Sequence, residues 1–229
     1  METSPSGDAE AFDRLLSTRH SCRGFLSRPV DDAAIVRILR IAQQTPSWCN
    51  AQPWRSLITK GAATERFRLA LTAHVAKAPP APDIAWPREY RGAYLERRRA
   101  CGFQLYEAIG VARGDRDGYS KQMFENYKLF GAPHVAIVTS DEALGAYGAV
   151  DCGAYVNNFL LAAQSLGVAS IPQAALASHS RFVREHFGLS DDRIVVCGIS
   201  FGYEDHAHKA NGFRTARASL EEVVTWAVD

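Results

Sequence analysis

A domain that mixes helices and strands, with helices in the majority, is what this sequence predicts. Three observations carry that reading. "RSLIT", "HVAIVTS" and "RIVVCGISF" are short apolar runs rich in Ile and Val, which suit buried strands. Longer stretches place apolar residues three and four apart, the spacing of an amphipathic helix. No repeat and no Gly/Ser-rich linker divides the 229 residues, so 1–229 is read as one domain. Periodicity alone does not say whether the strands run parallel or antiparallel.

Residues 1–8 are polar and expected to be disordered. Phe12, Leu15 and Leu16 begin a helical stripe that fades near Thr18. In "RPVDDAAIVRILRIAQQTP", Asp31 and Asp32 can cap a helix whose apolar face is Ile35, Ile38, Leu39 and Ala42, and Pro46 stops it. "RSLIT" is the first strand. Residues 62–130 are expected to be mostly helical, broken by the proline cluster "APPAPDIAWP", with 79–125 as a helical insert. "HVAIVTS" is the second strand. "AVDCGAYVNNFLLAAQSLG" is the longest helix, with Tyr155, Val156, Phe159, Leu160, Ala163 and Leu166 on its apolar face and Gly167 as its stop. "SHSRFVREHFG" is a helix ending at Gly188, and "RIVVCGISF" a strand. Ser219 and Glu222 predict a capping box for a last helix, "LEEVVTWAV".

Composition narrows the function classes. The hydrophobic share is 47% and the charged share 22%, ordinary for a globular protein. A net charge of +1 gives no general attraction to nucleic acid or anionic membrane. The apolar runs are too short to span a bilayer, and the acidic N-terminus carries no export signal. Five cysteines, odd in number and never C-x-x-C, point to reduced thiols and a cytoplasmic location.

Several motifs compete for a chemical reading. "GISFG" matches G-x-S-x-G, but a serine-hydrolase elbow must run straight into a helix, and "YEDHAHKANGF" reads as a loop. A nucleophilic Ser200 is therefore the minor reading, and glycines at the end of a crowded strand the major one. "EDHAH" offers Glu204, Asp205, His206 and His208, yet nothing completes a metal-ligand set, so a solvated loop is preferred. The arginine-rich "REYRGAYLERRR" is interleaved with Glu89 and Glu96 and reads as a solvated helix face rather than a nucleic-acid site. "RHSCR" differs. Arg19, His20, Ser21 and Arg23 gather two permanent cations, an imidazole and a hydroxyl in one turn, a set that suits phosphate oxygens. "FRTAR" adds a second basic group. With no glycine-rich phosphate loop present, any phosphate here is held by side chains.

"PSWCNAQPW" raises the remaining question, because it mixes two tryptophans with Ser47, Asn50 and Gln52 in one short loop. Together with "RHSCRGFLSRPV", "NYKLFGAPHVAIV", "DCGAYVNNFLLAAQSLGVASIPQAAL" and "GISFGYEDHAHKANGFRTARASLEEVVTW", in order and register, it resembles the nitroreductase family of FMN-dependent oxidoreductases. The likeness runs from about residue 12 to the end. The 86–130 region most resembles the nitrobenzoate-reductase branch.

That resemblance implies an α+β fold: a central, mostly antiparallel sheet flanked by helices, in an intertwined homodimer with FMN at the subunit interface. It implies that Arg19, His20, Ser21 and Arg23 hold the phosphate and ribityl chain, with Arg217 adding a phosphate contact. Pro46, Ser47, Asn50 and Gln52 would reach the flavin of the partner subunit. Ile171, Pro172 and Gln173 would lie along the ring, with backbone amides near its reactive nitrogen, and Asn126 would meet its edge. Ala174 stands where the family commonly has glycine, and Thr215 where it often has lysine, with Arg214 as a possible substitute. The implied activity is reduction of small nitroaromatics, nitrobenzoate-like ones included, to the hydroxylamino or nitroso level. Electrons would come from NADH or NADPH in a ping-pong cycle that needs no side-chain nucleophile. The 79–125 insert would form the substrate lid. Flavin, quinone or enal reduction and reductive dehalogenation remain alternatives on the same scaffold, and hydrolysis through Ser200 an alternative of another class.

Overall fold

The computed structural model describes residues 7–228. Helix α1 (Gly7–Thr18) and helix α2 (Asp32–Ala42) lead to strand β1 (Arg55–Ile58) and helix α3 (Ala62–Val75). Helices α4 (Gly92–Ala108) and α5 (Arg116–Phe124) follow, then strand β2 (His134–Asp141) and the long helix α6 (Gly145–Ser165). Strand β3 (Ala169–Gln173), helices α7 (Ala174–Ala177) and α8 (Ser180–Phe187), strand β4 (Arg193–Gly202) and helix α9 (Leu220–Val223) complete the order.

The strands form one antiparallel sheet in the order β1-β2-β4-β3. It is covered on both faces. Ala136, Val138, Ile199 and Phe201 pack against α2 and α6 through Ile35, Ile38, Tyr155 and Phe159. Val135, Ile137 and Val195 point the other way, onto Phe67, Leu71, Leu176 and Val183. This explains the unbroken apolar run of β2. An antiparallel strand normally alternates because one face is wet, but here both neighbouring layers are apolar. Full burial of each large side chain contributes about 1.5–3 kcal/mol. A register shift between Val138 and Thr139 marks a bulge in the β2–β4 pairing.

The glycines of "GISFG" have steric causes. A Cβ at Gly198 would lie 2.2 Å from Leu176 Cδ1, and one at Gly202 2.6 Å from Pro133 Cδ. Ser200 between them is fully buried within β4 and donates its hydroxyl to Gln173 Oε1 at 2.5 Å. No elbow exists there.

Five expectations are corrected. Gly7 and Asp8 belong to α1, while residues 1–6 of the expected disordered start lie outside the described residues. Asp31 occupies the cap position of α2 without a side-chain bond, and Asp32 pairs instead with Lys60 at 2.8 Å. Leu166 falls at the end of α6 and is exposed. Strand β3 is absent from the expected elements: of Ala169–Gln173 only Ile171 is a large apolar residue, so no apolar run marks it. The last helix is only four residues long. Its capping box forms, but Val224 is already extended, and Trp226 and Val228 are exposed. One cap contributes about 1 kcal/mol, too little to extend a helix that buries none of its residues.

Candidate functional site

The segment after α1 is drawn alongside the edge strand β3. Ser21 bridges Ser170 in parallel, and the Cys22 amide donates to Ser170 O at 3.2 Å. Because Ser170 O faces this outer edge, so does the next outward position, Pro172, which has no N–H to leave unpaired. The chain then runs beside the end of β4, with Phe25 bridging Glu204 and Asp205 N–H donating to Gly24 O at 3.0 Å. Gly24 is required: a Cβ there would lie 2.2 Å from His208 Cγ.

Asn211 fastens these pieces together. It is buried, its Oδ1 accepts the Arg23 N–H at 2.6 Å, and its Nδ2 donates to Gly24 O at 2.9 Å and Asp205 O at 3.0 Å. Sequence reasoning passed over it, since nothing distinguishes one loop asparagine from another. Burial between two basic segments is the property that matters, and it is not written in the pattern.

The result is a cavity of about 290 Å³ that unites the two basic motifs. Its walls include Arg19, His20, Ser21 and Arg23 from one motif and Phe213, Arg214, Thr215 and Arg217 from the other, with Cys101 of α4. No Asp or Glu among the described residues lines it. Among the described residues, none of the four guanidinium groups forms an ion pair. Burial, and then Arg217, hold the Arg19 guanidinium below its ordinary value, and burial does the same to Arg23. Arg23 spans the site, donating to Ser21 O at 3.2 Å and lying 5.4 Å from the centre of the Phe213 ring. Crowded, partly desolvated cations with no internal counter-ion are suited to an external anion. The adjacent Cys22 is inert, since burial pushes its thiol up to about 12.

Gln173 and Asn126 meet next to β3. Gln173 is buried and donates to Asn126 O at 2.9 Å and Oδ1 at 3.3 Å, so its side chain points into the protein. Ile171 is also buried, while Pro172 and Ala174 are exposed.

The 46–54 loop lies apart. Pro46, Ser47, Asn50 and Gln52 do not line the basic cavity of their own chain. Gln52 N–H donates to Ser47 Oγ at 2.9 Å, and Gln52 Nε2 to Asn50 Oδ1 at 3.0 Å. Cys49, Asn50 and Gln52 all take left-handed backbone angles, a conformation that costs side-chain-bearing residues energy and clusters at functional loops. Trp54 stacks inward on Tyr155 at 5.1 Å, whereas Trp48 is 58% exposed and meets the similarly exposed Tyr147 edge to face. The polar loop "EDHAH" is half-buried at Glu204 and Asp205 and exposed from His206 to His208. Among the described residues, no three His, Cys, Asp or Glu side chains are grouped to hold a metal, and no helix is long and apolar enough to cross a membrane.

An antiparallel sheet between helical layers, with a basic cavity at its edge strand, defines an α+β protein. The sequence pattern of the Nitroreductase family matches residues 16–203, and the chain belongs to that family. It is 35% identical over 225 residues to the nitroreductase NfnB of Mycolicibacterium smegmatis, covering 97% of this chain and 95% of that one. It is 32% identical over 234 residues to a 4-nitrobenzoate reductase of Nocardioides sp., covering 96% and 91%. The crystal structure of the FMN-dependent nitroreductase NfnB from Mycobacterium smegmatis, in complex with NADPH, aligns with a TM-score of 0.91 at 33% identity, covering 96% of this chain and 99% of that chain. The fold is thus the nitroreductase fold.

Proposed function

We propose that this protein is an FMN-dependent oxidoreductase that uses NADPH or NADH to reduce small nitroaromatic compounds. The observation that carries the reading is the basic cavity, whose unpaired guanidinium groups and flanking hydroxyls fit a phosphorylated polyol chain. Arg19, Arg23 and Arg217 would neutralise the phosphate, with His20 and Ser21 alongside. Ile171, Pro172 and Gln173 would border the ring through the exposed edge of β3, with Asn126 near its rim. Since Pro172 lacks an N–H and the Gln173 side chain is turned inward, any backbone donation there falls to other amides of the segment. The bound flavin would supply hydride acceptance from the nicotinamide and return of the electrons to a second substrate in the same place. The protein supplies orientation, exclusion of water and positive charge.

Pro46, Ser47, Asn50 and Gln52 are assigned to the flavin of a partner subunit. The support is that they do not line their own chain's cavity, that their loop is strained and mutually bonded, and that apolar surface lies beside it. Trp48, Tyr147 and Val150 are exposed there, as are Leu220, Val223 and Trp226 in the C-terminal segment. Surface of that kind is normally covered in an assembly, and a homodimer is the proposed cover. The 79–125 segment is proposed as the substrate lid, because α4 buries no residue of its own yet places Cys101 in the cavity wall. Arg98 and Arg99 of this segment are exposed and in no ion pair among the described residues, and so could meet an anionic substituent, whereas Arg91 pairs with Glu89 and Arg97 with Glu222.

Anaerobic addition of NADPH to the yellow protein should bleach it, and 4-nitrobenzoate should restore the colour. Steady-state rates should favour 4-nitrobenzoate over nitrobenzene by about tenfold in kcat/KM, the worth of a modest ion pair. A colourless protein that cannot be reconstituted with FMN contradicts the proposal. Equal efficiency removes only the carboxylate preference.

A further inference from the structure

The buried serine of "GISFG" heads a chain of side-chain hydrogen bonds that leads out of the sheet. Ser200 Oγ lies 2.5 Å from Gln173 Oε1, and Gln173 Nε2 lies 2.9 Å from Asn126 O and 3.3 Å from Asn126 Oδ1. Asn126 Nδ2 in turn lies 3.0 Å from Met123 O. Ser200 and Gln173 are buried, and Asn126 is half-buried. Strand register builds the first link, since Gln173 on β3 stands opposite Gly198 and diagonal to Ser200 on β4.

Two backbone carbonyls fix the direction of every link. A carbonyl only accepts hydrogen bonds, so the end of Gln173 that meets Asn126 O is Nε2, and its Oε1 faces Ser200. Ser200 is then the donor. By the same rule Met123 O claims Asn126 Nδ2 and leaves Asn126 Oδ1 toward Gln173. Flipping either amide would set acceptor against acceptor. Among the described residues, Asn126 Nδ2 has no second acceptor, so one of its hydrogens is free to meet a ligand. The backbone beyond is held at the same point. Leu129 N–H donates to Asn126 O at 3.1 Å, and the buried Leu129 and Phe130 take left-handed angles, which persist only where the surroundings over-determine them.

A buried hydroxyl and a buried carboxamide contribute little net stability even when bonded to each other. What this pair secures is the orientation of Asn126. We propose that Ser200 and Gln173 are positioning residues that hold Asn126 as an N–H donor toward the flavin. The proposal rests on the reading that Asn126 lies at the rim of the ring. A donor there binds the reduced ring more strongly, because that ring carries the added negative charge, and so favours reduction. None of the three residues lines the basic cavity, so the relay acts on the ring rather than on the phosphate.

The test measures the two-electron midpoint potential of full-length, FMN-loaded protein. Asn126→Ala should lower it by about 30 mV, equivalent to a tenfold loss of preference for reduced over oxidised FMN. Ser200→Ala and Gln173→Met should each lower it too, and neither should lower it further in the Asn126→Ala background. Should Ser200→Ala fail to fold, the double variant Ser200→Ala/Gln173→Met takes its place, because it removes both partners of the buried bond and orphans neither. A purely structural pair would lower the Tm and leave the potential unmoved, which overturns the proposal. So does a shift that persists in the Asn126→Ala background. Carboxamide hydrogen exchange, followed by nitrogen-15 NMR, reports the relay without the cofactor. Gln173 should exchange slowly in the parent and about tenfold faster or more in Ser200→Ala. Fast exchange at Gln173 in the parent overturns the proposal. A parent with slow, Ser200-dependent exchange that takes up no FMN upholds the relay and instead overturns the flavin reading.

Discussion

Asn211 shows how much a single buried amide can organise. Three hydrogen bonds converge on it, and one of them positions the Arg23 backbone. Replacing it with Ala leaves the Arg23 N–H without its partner, at about 1–3 kcal/mol if that group stays buried, whereas Gly24 O keeps the Asp205 N–H and Asp205 O the His208 N–H. Asn211→Ala should therefore lower the Tm and weaken FMN binding together, and unchanged FMN affinity would show that Arg23 is positioned by other means. His134 is another satisfied buried group. Its Nε2 accepts the Val30 N–H at 3.0 Å, and Nδ1 faces Thr59 O at 3.1 Å, so it is built to be neutral. Burial lowers its proton affinity. Burial does the same for His179, helped by His74, and for His186, helped by Arg66. Folded values below the unfolded ~6.5 mean that the unfolded chain takes up protons first. The stabilisation is present above that value and is lost as the pH falls below it. The Tm should fall between about pH 7.5 and 5.5, and His179→Phe, which removes a ring with two unpartnered nitrogens, should flatten the decline. A Tm that holds or rises on acidification would contradict this.

The elements were legible in proportion to how regular their patterns are. Strands β2 and β4 and helices α2, α6 and α8 follow from apolar runs, periodicity and the stops at Gly167 and Gly188. Strand β3 carries no apolar run beyond Ile171 that would announce it, and its place at the sheet edge makes Pro172 harmless. The last helix was overread because a capping box is a local signal that cannot report whether anything packs on the helix. "GISFG" shows the opposite case, a catalytic pattern produced by packing: Leu176 and Pro133 exclude side chains at the two glycines. Ser200→Ala should abolish no esterase activity, since none is expected. It should instead destabilise the fold by about 1–3 kcal/mol in denaturant unfolding, because Gln173 Oε1 loses its buried donor. An esterase activity that disappears in this variant would revive the hydrolase alternative.

At the scale of the molecule, the two basic motifs were visible in the sequence as separate clusters almost two hundred residues apart. Their union in one cavity is a product of the β3 edge and the Asn211 staple. The 46–54 loop is conspicuous for mixing tryptophans with amides, and in the fold its residues do not line their own chain's basic cavity and Trp48 is exposed. This arrangement is consistent with the proposed second copy. Light scattering on dilute FMN-loaded protein should report a dimer, and a stable loaded monomer would remove the cross-subunit assignment. The most direct measurement of all compares FMN with riboflavin, which lacks the phosphate, as ligands of the parent and of Arg19→Ala. Losing one charge-assisted contact of about 1.5–3 kcal/mol should weaken FMN by about one to two decades and leave riboflavin unchanged. The parent should prefer FMN strongly. A parent that binds the two equally, or an Arg19→Ala variant that holds FMN as tightly as the parent, would show that the basic cavity is not the flavin phosphate site.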